Sequence, residues 1–512
     1  MPVLGSIIKR SLTIGNYFQN YKNAPAAVHQ QRVLRQLILT AADTRFGEQY
    51  QFDKLQNYTD IAAAFADTVP AHDYNKMYDE WWHRSIQSEP DVTWTGVVKY
   101  FALSSGTSGA ASKYIPVTKD MTKAMQNAGR KMFFSITKYP LPPELFTKSM
   151  MMVGGSADLN HENGFYCGDL SGINANRVPW WLQKYYKPGI DVARITDWNT
   201  RADEIAKRAA QWDIGFASGL PSWVQLMMER VIEYNKVDTI HDIWPNLSVF
   251  VSGGIALEPY KRGMQRLLSK PLLYLDSYLA SEGFIAFQNR AEAENHAMAM
   301  ILNNGIYYEF VPFNDANFDS EGNLLSNHKV LTINEVQAGV DYALLMSTCA
   351  GAWRYLIGDV VRFTDVERSE IHITGRTKHF LSITGEHLSV DNMVRGLELV
   401  SDELNAVVRE FTVCAIETTP GQFEHRWYIG CDTQPDRARF EHLLDENLKK
   451  INDDYRTERS AFLSMSVQIV PATYFYEFQE KHARMDGQAK FPRVLRKEKF
   501  ALWEGFVAAK KG

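Results

Sequence analysis

The stretch Leu103-Ser-Ser-Gly-Thr-Ser-Gly-Ala-Ala-Ser-Lys113 lies between two runs of residues that favour extended backbone. Upstream, Val97-Val-Lys-Tyr-Phe-Ala-Leu103 is β-branched and aromatic. Downstream, in Lys113-Tyr-Ile-Pro-Val-Thr118, the proline biases the residue before it away from the helical region. We therefore predict that the glycines close a hairpin and do not open a helix.

The composition of this hairpin suits a phosphate group. Gly106 and Gly109 can adopt positive φ and turn backbone N–H groups towards an anion. Lys113 adds a positive charge, and hydroxyl donors come from Ser104, Ser105, Thr107 and Ser108. The P-loop pattern G-x-x-x-x-G-K-[ST] does not occur. The stretch alone leaves two interpretations open, a phosphate-binding loop and a Ser/Gly-rich surface hairpin.

The overall composition narrows the class of protein. At 512 residues the chain exceeds the length over which one hydrophobic core keeps growing, so we expect two or more domains. A net charge of -5 gives no support to a nucleic-acid partner. The chain has no apolar run of the roughly 18 residues that a membrane span needs.

The N-terminus and the cysteines indicate the compartment. Lys9 and Arg10 interrupt the apolar N-terminus too early for a signal peptide. The four cysteines are far apart and form no C-x-x-C pair, so we predict neither a zinc site nor a disulfide framework. We expect a monomer in the cytoplasm.

Helix and strand patterns alternate in the middle of the chain. Helices are predicted at 201–212 and 223–234, and strands at 214–218, 247–251 and 272–275. This alternation is typical of an α/β architecture with much parallel sheet. Ligands of such sheets bind beyond the carboxyl ends of the strands, so the residues that follow the strands are the candidates for a site.

Two of the predicted strands are followed by residues that suit a nucleotide. Ser252-Gly-Gly254 presents bare backbone against which a flat ring can lie. In the second segment, Asp276-Ser-Tyr-Leu-Ala-Ser-Glu282, Tyr278 offers a stacking face, Ser281 a hydroxyl and Glu282 an oxygen ligand for Mg²⁺.

A third candidate lies in Trp353-Arg-Tyr-Leu-Ile-Gly-Asp359. The Gly-Asp pair predicts a turn, where the Asp359 carboxylate can accept two hydrogen bonds from a ribose diol. Taken singly, each of the three candidates is weak, because a Tyr or Glu after a strand is usually a rim residue and a Gly-Asp pair is usually a turn. Together with the hairpin they supply a phosphate cradle, a purine shelf, a metal carboxylate and a ribose acceptor.

Six segments, in this order, resemble the Gretchen Hagen (auxin-responsive) family of acyl acid amido synthetases, particularly its bacterial members, within the luciferase-like adenylate-forming superfamily. The resemblance extends from about residue 90 to 495. The segments are SSGTSGAASKYIP, WPNLSVFVSGGIALEPY, YLDSYLASEGFIAF, WRYLIGDVVRFT, GRTKHFLSITGEHLSVDN and GQAKFPR.

The resemblance implies a role for each candidate. Residues 104–108 would hold the ATP phosphates, residues 252–254 would line the adenine, and Tyr278 would stack on it. Glu282 would bind Mg²⁺ and Asp359 the ribose. Three further residues match family positions. Arg376 matches the arginine that opens the small C-terminal domain, Lys378 matches the hinge, and Lys490 matches the catalytic lysine of the terminal segment.

The predicted fold is α/β, with a large N-terminal adenylation domain of mixed and parallel sheets and a small C-terminal α+β domain. We place the ATP- and acyl-binding domain at 1–377 and the mobile small domain at 378–512. The tail supports this division independently, because helices at 391–403 and after 431 alternate with strands. We expect its long helix to pack on a small antiparallel sheet.

The expected activity is ATP- and Mg²⁺-dependent activation of a carboxylic acid as an acyl-adenylate, followed by transfer to an amine such as an amino acid. A carboxylate–CoA ligase shares the first half-reaction and stays an alternative. A serine hydrolase at Ser105 or Ser108 is disfavoured because G-x-S-x-G is absent. A nucleotide-binding regulator without turnover would need neither Glu282 nor Lys490.

The chain departs from its plant relatives in the helix after the hairpin. The family resemblance implies a basic pair there, and this chain has Ala124-Met125. If that pair holds the acyl carboxylate in the plant proteins, the acyl acid of this chain differs from the usual plant hormones.

Overall fold

The computed structural model describes residues 2–20, 24–104, 113–254, 257–290, 297–319, 322–377, 388–419, 422–452, 455–456, 459, 463–482, 490–495 and 497–511. Three β-sheets lie in the described part of the chain, with helices packed on their faces. The two larger sheets belong to the N-terminal part and the smallest to the C-terminal part.

The helices of the described residues are numbered in chain order. Helices α1 to α17 are Pro2–Asn20, Ala26–Thr40, Arg45–Gln49, Phe52–Leu55, Ile61–Thr68, Tyr74–Met77, His83–Ile86, Lys119–Ser135, Leu170–Ala175, Ile190–Ala193, Trp198–Arg208, Pro221–Asn235, Glu258–Gln265, Val390–Leu404, Arg437–Ile451, Thr473–His482 and Lys497–Lys511. A π-helical turn at Tyr78–Trp82 joins α6 to α7. Short 3-10 turns are found at Ile136–Lys138, Pro143–Thr147, Gln183–Tyr185, Ala209–Gln211 and Ile240–Asp242.

The strands are numbered in the same way. Strands β1 to β18 are Tyr100–Ser104, Lys113–Pro116, Ser149–Val153, Asn160–Glu162, Phe165–Gly168, Tyr186–Lys187, Ile214–Gly219, Val249–Gly253, Leu273–Ala280, Gly283–Phe287, Met298–Met300, Ile306–Pro312, Asp341–Thr348, Tyr355–Asp365, Glu370–Arg376, Val408–Thr419, Gln422–Cys431 and Leu463–Pro471. The four-stranded sheet has the order β2-β1-β5-β4. The large sheet has eleven strands in the order β12-β13-β14-β15-β11-β10-β9-β8-β7-β3-β6, and the small sheet has three in the order β16-β17-β18.

The large sheet is parallel in one half and antiparallel in the other. Strands β6, β3, β7, β8 and β9 run parallel, and the strands from β10 onwards pair antiparallel. The first four residues of β7, Ile214–Gly219, are all buried, as expected for a parallel strand covered on both faces. Helices α11 and α12 cover this half, and the rings of Trp198 and Trp223 meet edge to face at 4.6 Å.

The N-terminal helices pack on the antiparallel half of the sheet. Trp353 is fully buried there and is surrounded by the rings of Phe46, Phe52 and Phe65, at centroid distances from 4.8 to 6.2 Å. These helices therefore complete the core of the large domain.

The small sheet forms the core of a separate α+β unit. Ser389 caps α14 in a reciprocal capping box with Asn392, which explains where this helix begins. Leu397, Leu444 and Leu448 pack with the strands in one buried cluster. The fold class that the sequence predicts is confirmed, but the antiparallel sheet is wrong, because β18 runs parallel to β17.

Two further predictions concern the domain boundary and the absence of a membrane span. The predicted boundary between 377 and 378 stays a prediction, since residues 378–387 lie outside the described ranges. Among the helices that the structure describes, none is long and apolar enough to cross a membrane.

Candidate active site

The carboxyl ends of β3, β7 and β8 meet at one edge of the large sheet, and glycines lie at each of them. Gly154 follows β3, Gly219 ends β7, and Gly253 ends β8. Because these residues lack side chains, the edge stays open, and a cavity of about 160 Å³ lies there. We call it the strand-end cleft. Its walls include these glycines together with Met152, Ser171, Tyr186, Trp198, Arg201 and Lys490.

Lys490 reaches the strand-end cleft from the C-terminal part of the chain. A Cβ atom added at Gly254 would lie 3.1 Å from the Lys490 Nζ and 2.6 Å from the Leu220 Cδ2, so the ammonium occupies space that only glycine leaves open. Although Lys490 is exposed as a residue, its Nζ lies among cleft atoms, and this desolvation lowers its pKa. The charge of Arg376 lowers the pKa further, and Asp359 opposes the shift.

Tyr278, Asp359 and Arg376 form a hydrogen-bonded cluster beside this lysine. The Tyr278 hydroxyl donates to the Asp359 Oδ2 at 2.5 Å, and the Arg376 Nε contacts the Oδ1 at 2.9 Å. Asp359 and Arg376 are direct partners across β14 and β15. Burial, followed by the charge of Asp359, raises the pKa of Tyr278 well above its ordinary value. The hydroxyl therefore stays protonated and acts as a donor.

Glu282 lies in the turn between β9 and β10 and is 8% exposed. Burial raises the pKa of its carboxyl, and the nearby charge of Asp359 adds to the rise, whereas Arg376 and Lys113 oppose it. The Tyr355 hydroxyl is its hydrogen-bond partner. Glu282 is thus a buried carboxylate close to the cluster around Asp359, and Ser281 precedes it, half-buried, in the same turn.

The strands that flank the glycine stretch bring Lys113 near the same region. Strands β1 and β2 pair antiparallel, with Ser104 opposite Lys113, as the sequence predicts. The Lys113 Nζ lies 5.1 Å from the centre of the Tyr74 ring, and its charge acts on the Glu282 carboxyl. Lys113, the first residue of β2, is therefore near the buried carboxylate.

Some of the predicted residues lie outside the described part of the chain. They are Ser105, Gly106, Thr107, Ser108 and Lys378, and of Ser104 only the backbone is described. Their roles stay predictions.

The structure corrects three of the local predictions. The strand predicted to end at Leu275 continues to Ala280, so Tyr278 lies inside β9, where it is 5% exposed and its hydroxyl is bonded to Asp359. Its stacking role stays a prediction. Asp359 lies within β14 and not at a turn. Ser252 is fully buried in β8, and only Gly253 and Gly254 of that triplet line the cleft.

The sequence interpretation missed Arg201, which lines the strand-end cleft and is 2% exposed. Its guanidinium lies 5.3 Å from the centre of the Trp198 ring. The sequence pattern could have indicated this residue, because Arg201 lies on the face of α11 that also carries the buried residues Ala202 and Ile205. An arginine on the apolar face of an amphipathic helix is unusual and indicates a buried partner or a ligand.

Three family models match the chain in order. They are the GH3 family N-terminal domain at 16–203, the GH3 family central domain at 299–376 and the GH3 family C-terminal domain at 391–499. Together they cover most of the chain.

Curated relatives include the Arabidopsis thaliana probable indole-3-acetic acid-amido synthetase GH3.1, 27% identical over 278 residues, which are 49% of this chain and 44% of the relative. The Oryza sativa subsp. japonica jasmonoyl–L-amino acid synthetase GH3.5 is 26% identical over 212 residues, 39% of this chain and 36% of the relative. The chain thus spans less than half the length of these relatives in the matched segments.

Solved structures extend the likeness to the whole fold. The GH3.15 acyl acid amido synthetase superposes with a TM-score of 0.77 at 17% identity, covering 97% of this chain and 96% of that one. A 2-hydroxyisobutyryl-CoA ligase in the postadenylation state superposes with a TM-score of 0.58 at 12% identity, covering 95% and 93%.

The fold therefore defines a class: this chain has the two-domain architecture shared by acyl acid amido synthetases and adenylate-forming CoA ligases. Within that class, the chain belongs to the GH3 family.

Proposed function

We propose that this chain is an ATP- and Mg²⁺-dependent acyl acid amido synthetase. A bound carboxylate oxygen attacks the α-phosphorus of ATP, and the bond to pyrophosphate breaks. The nitrogen of an amine, such as an amino acid, then attacks the acyl carbon, and AMP leaves with the bonding electrons. The amine loses its proton as the amide forms.

The observation that carries this proposal is the position of Lys490. Its ammonium lies 3.1 Å from where a Gly254 side chain would begin, at an open edge of a parallel sheet, beside Asp359 and Arg376. An ammonium at such an edge suits the negative charge that develops during attack on a phosphate. The named activities of the GH3 relatives agree with this chemistry.

The described residues divide the work of nucleotide binding. Gly253 and Gly254 offer a flat wall for the base, and the Asp359 carboxylate, oriented by Tyr278 and Arg376, accepts from the ribose. We assign the phosphates to residues 104–108, as the family resemblance implies, and to Lys113. No nucleophilic side chain is required, because positioning and charge neutralisation supply most of the catalysis of such a transfer.

The residues present fit Mg²⁺ that is bound together with ATP. No group of three His, Cys, Asp or Glu side chains that could hold a metal occurs in the described part of the chain. Mg²⁺ commonly takes only one or two protein carboxylates and completes its octahedron with phosphates and water. Glu282 would supply the carboxylate, and the ion would neutralise charge on the phosphates.

The acyl acid occupies the part of the strand-end cleft that is walled by Met152, Tyr186 and Trp198. Ala124 and Met125 are buried in the core, so the two positions at which the family resemblance implies a basic pair offer no cation here. We therefore infer that the acyl acid differs from indole-3-acetic acid and jasmonic acid, which the names of the relatives indicate.

A carboxylate–CoA ligase is the second candidate, because one superposed structure is a CoA ligase. The experiment is a pyrophosphate-release screen over a panel of carboxylic acids, with the products identified by mass spectrometry in the presence of amino acids or coenzyme A. We expect an amide from at least one amino acid. A thioester from coenzyme A, with no amide from any active acid, would establish the ligase instead.

Asp359 allows a test of the ribose contact. Asp359→Asn keeps the shape of the side chain and removes the charge, so ATP binding should weaken by about 10- to 150-fold, the usual loss for a charge-assisted hydrogen bond. Isothermal titration with a non-hydrolysable ATP analogue measures it. Asp365→Asn, on the same strand and far from the cleft residues, is the control. Unchanged ATP affinity in a folded Asp359→Asn protein would remove this residue from the site.

Glu282→Gln should raise the Mg²⁺ concentration that gives half-maximal adenylation by about tenfold, because one anionic ligand is lost. ATP-pyrophosphate exchange across a magnesium titration measures this change. Glu233→Gln, at a carboxylate that is 73% exposed, is the matched control. An identical magnesium dependence in Glu282→Gln and the control would exclude Glu282 as a ligand.

The pH dependence follows from the lowered pKa of Lys490. The ammonium is charged below that pKa and loses its proton as the pH rises through it. The kcat/KM of adenylation, which reports ionisations of the free enzyme, should therefore decline on the alkaline side at a pH below 10.5, the ordinary pKa of lysine. In Lys490→Arg the guanidinium keeps its charge, so whatever activity remains should hold to higher pH. If the wild-type protein and Lys490→Arg lose adenylation activity over the same alkaline pH range, the decline belongs to a group other than Lys490.

A further inference from the structure

A buried polar cluster lies where the segment that carries Lys490 meets the large domain. Arg493 follows three residues after Lys490. Its Nη1 contacts the Glu410 Oε2 at 2.6 Å, and its Nη2 donates to the Tyr260 hydroxyl at 2.8 Å. That hydroxyl in turn donates to the Glu410 Oε1 at 3.1 Å. The three side chains thus close a ring of hydrogen bonds.

The cluster joins the two domains at their interface. Tyr260 lies on α13 of the large domain and is 1% exposed, whereas Glu410 lies on β16 of the small domain and is 4% exposed. Burial raises the pKa of Tyr260, so its hydroxyl remains protonated. Arg493 and Glu410 both belong to the small domain, so the two hydrogen bonds of the Tyr260 hydroxyl are what crosses the interface. Hydrogen bonds to charged groups are stronger than those between neutral groups, so this contact favours the docked orientation.

The backbone around Arg493 is fixed to the small sheet. The Val413 N–H donates to the Arg493 carbonyl at 2.9 Å, and the Leu495 N–H donates back to the Val413 carbonyl at 2.9 Å. The Thr412 hydroxyl donates to the Pro492 carbonyl at 2.8 Å. Since three residues of extended chain span at most about 10 Å, anchoring Arg493 also restricts where Lys490 can lie.

Two ion pairs also cross this interface, and their side chains are more exposed than those of Tyr260 and Glu410. Arg409 contacts the Glu229 carboxylate at 2.7 Å, and Arg262 contacts the Asp402 carboxylate at 2.5 Å. Asp402 is 63% exposed, and exposed pairs of this kind contribute little. The cluster around Tyr260 is the buried member of the set.

We propose that Tyr260, Glu410 and Arg493 form a positioning triad that holds the small domain in the orientation in which Lys490 reaches Gly254. This inference rests on the proposed function, since it assigns Lys490 to the adenylation step. The triad touches no substrate and acts only through Lys490. It favours adenylation, and it must open before the small domain can adopt a different orientation.

Tyr260→Phe removes one hydroxyl and keeps the ring. We expect the kcat of adenylation to fall by about tenfold, with the KM for ATP changed by less than about twofold. Transfer from a supplied acyl-adenylate should be unchanged or faster. Tyr274→Phe is the matched control, since its buried hydroxyl has no hydrogen-bond partner in the described part of the chain. Thermal unfolding of each variant checks that the fold is retained.

A double-mutant cycle separates positioning from a merely structural role. If Tyr260 acts through Lys490, adding Tyr260→Phe to Lys490→Ala should lower adenylation by less than about twofold further. Full additivity of the two losses, or an equal loss in both half-reactions of Tyr260→Phe, would overturn the triad. A wild-type protein that releases pyrophosphate with no carboxylic acid would overturn the proposed function instead.

A distance measurement tests the triad without activity. Spin labels at Tyr234→Cys on the large domain and Leu399→Cys on the small domain replace exposed side chains, and the four native cysteines are buried. Pulsed electron resonance should give one dominant distance, which broadens when Tyr260→Phe is added and does not broaden with Tyr274→Phe. An unchanged distribution in both would show that the triad does not hold the domains together.

Discussion

Lys490→Ala is expected to lower the kcat of adenylation by roughly 100- to 1000-fold and to weaken ATP binding far less. The ammonium lies at Gly254, beside Asp359 and Arg376. The proposed function places there the negative charge that develops on the α-phosphate and on the departing pyrophosphate. An interaction made mainly in the transition state contributes to kcat rather than to ground-state affinity, and losing one such donor commonly costs this much. Acid-dependent ATP-pyrophosphate exchange measures the first half-reaction.

The second half-reaction provides the decisive comparison. Acyl transfer from a supplied acyl-adenylate to an amine should be largely spared in Lys490→Ala, because the phosphate charge that the ammonium stabilises no longer increases. Lys123→Ala, at a side chain that is 76% exposed, should leave both rates unchanged. Equal losses in both half-reactions of Lys490→Ala, or no loss in the first, would reject the assignment.

Gly254→Ala is expected to lower adenylation by about 100-fold. The added Cβ would lie 2.6 Å from the Leu220 Cδ2 and 3.1 Å from the Lys490 Nζ, so it displaces the lysine or shifts the β8 end. Gly254 also has a φ of +83°, which costs a residue with a side chain roughly 1–2 kcal/mol. The loss should appear in kcat of the first half-reaction, measured by exchange, and should exceed the loss in stability.

Gly96 provides a control for the cost of placing a residue with a side chain at positive φ. Its φ is +80°, close to that of Gly254, and a Cβ there would meet no atom within 4 Å. Gly96→Ala should therefore lose a comparable amount of stability, measured by urea unfolding, with adenylation intact. If Gly96→Ala and Gly254→Ala lose the same activity, backbone strain explains the effect and crowding of Lys490 does not.

The parts of the fold that short-range patterns control could be predicted from sequence. The hairpin around the glycines is one, because Pro116 and the β-branched residues act locally. The parallel strands β7 and β8 are others, because buried parallel strands appear as continuous apolar runs. The two-domain architecture was predictable from the order of the motifs along the chain, and the superposition on the GH3.15 structure supports it.

The end of β9 could not be predicted because a neighbouring strand decides it. Asp276 and Ser277 are polar and look like the end of the strand at Leu275. In the fold, Ser277 and Tyr278 pair with Phe287 and Ala286 of β10, so the strand continues. Cross-strand pairing overrides local propensity at such positions.

The contacts within the site could not be predicted because they join distant segments. Tyr278 and Asp359 lie 81 residues apart, and their hydrogen bond depends on how the large sheet closes. Lys490 reaches Gly254 only because the small domain is docked through contacts such as Tyr260 with Arg493. Motif spacing indicates which residues take part, but packing of the domains determines which of them meet.

The central claim is that the strand-end cleft joins a carboxylate to AMP, and isotope transfer tests this claim most directly. A carboxylic acid that is active in the screen is labelled with ¹⁸O in both carboxylate oxygens and is turned over with ATP and an amino acid. Attack of the carboxylate on the α-phosphorus predicts one ¹⁸O atom in each AMP released and none in pyrophosphate. Two results would contradict the account. One is ¹⁸O in pyrophosphate or in free phosphate, and the other is unlabelled AMP formed together with labelled amide.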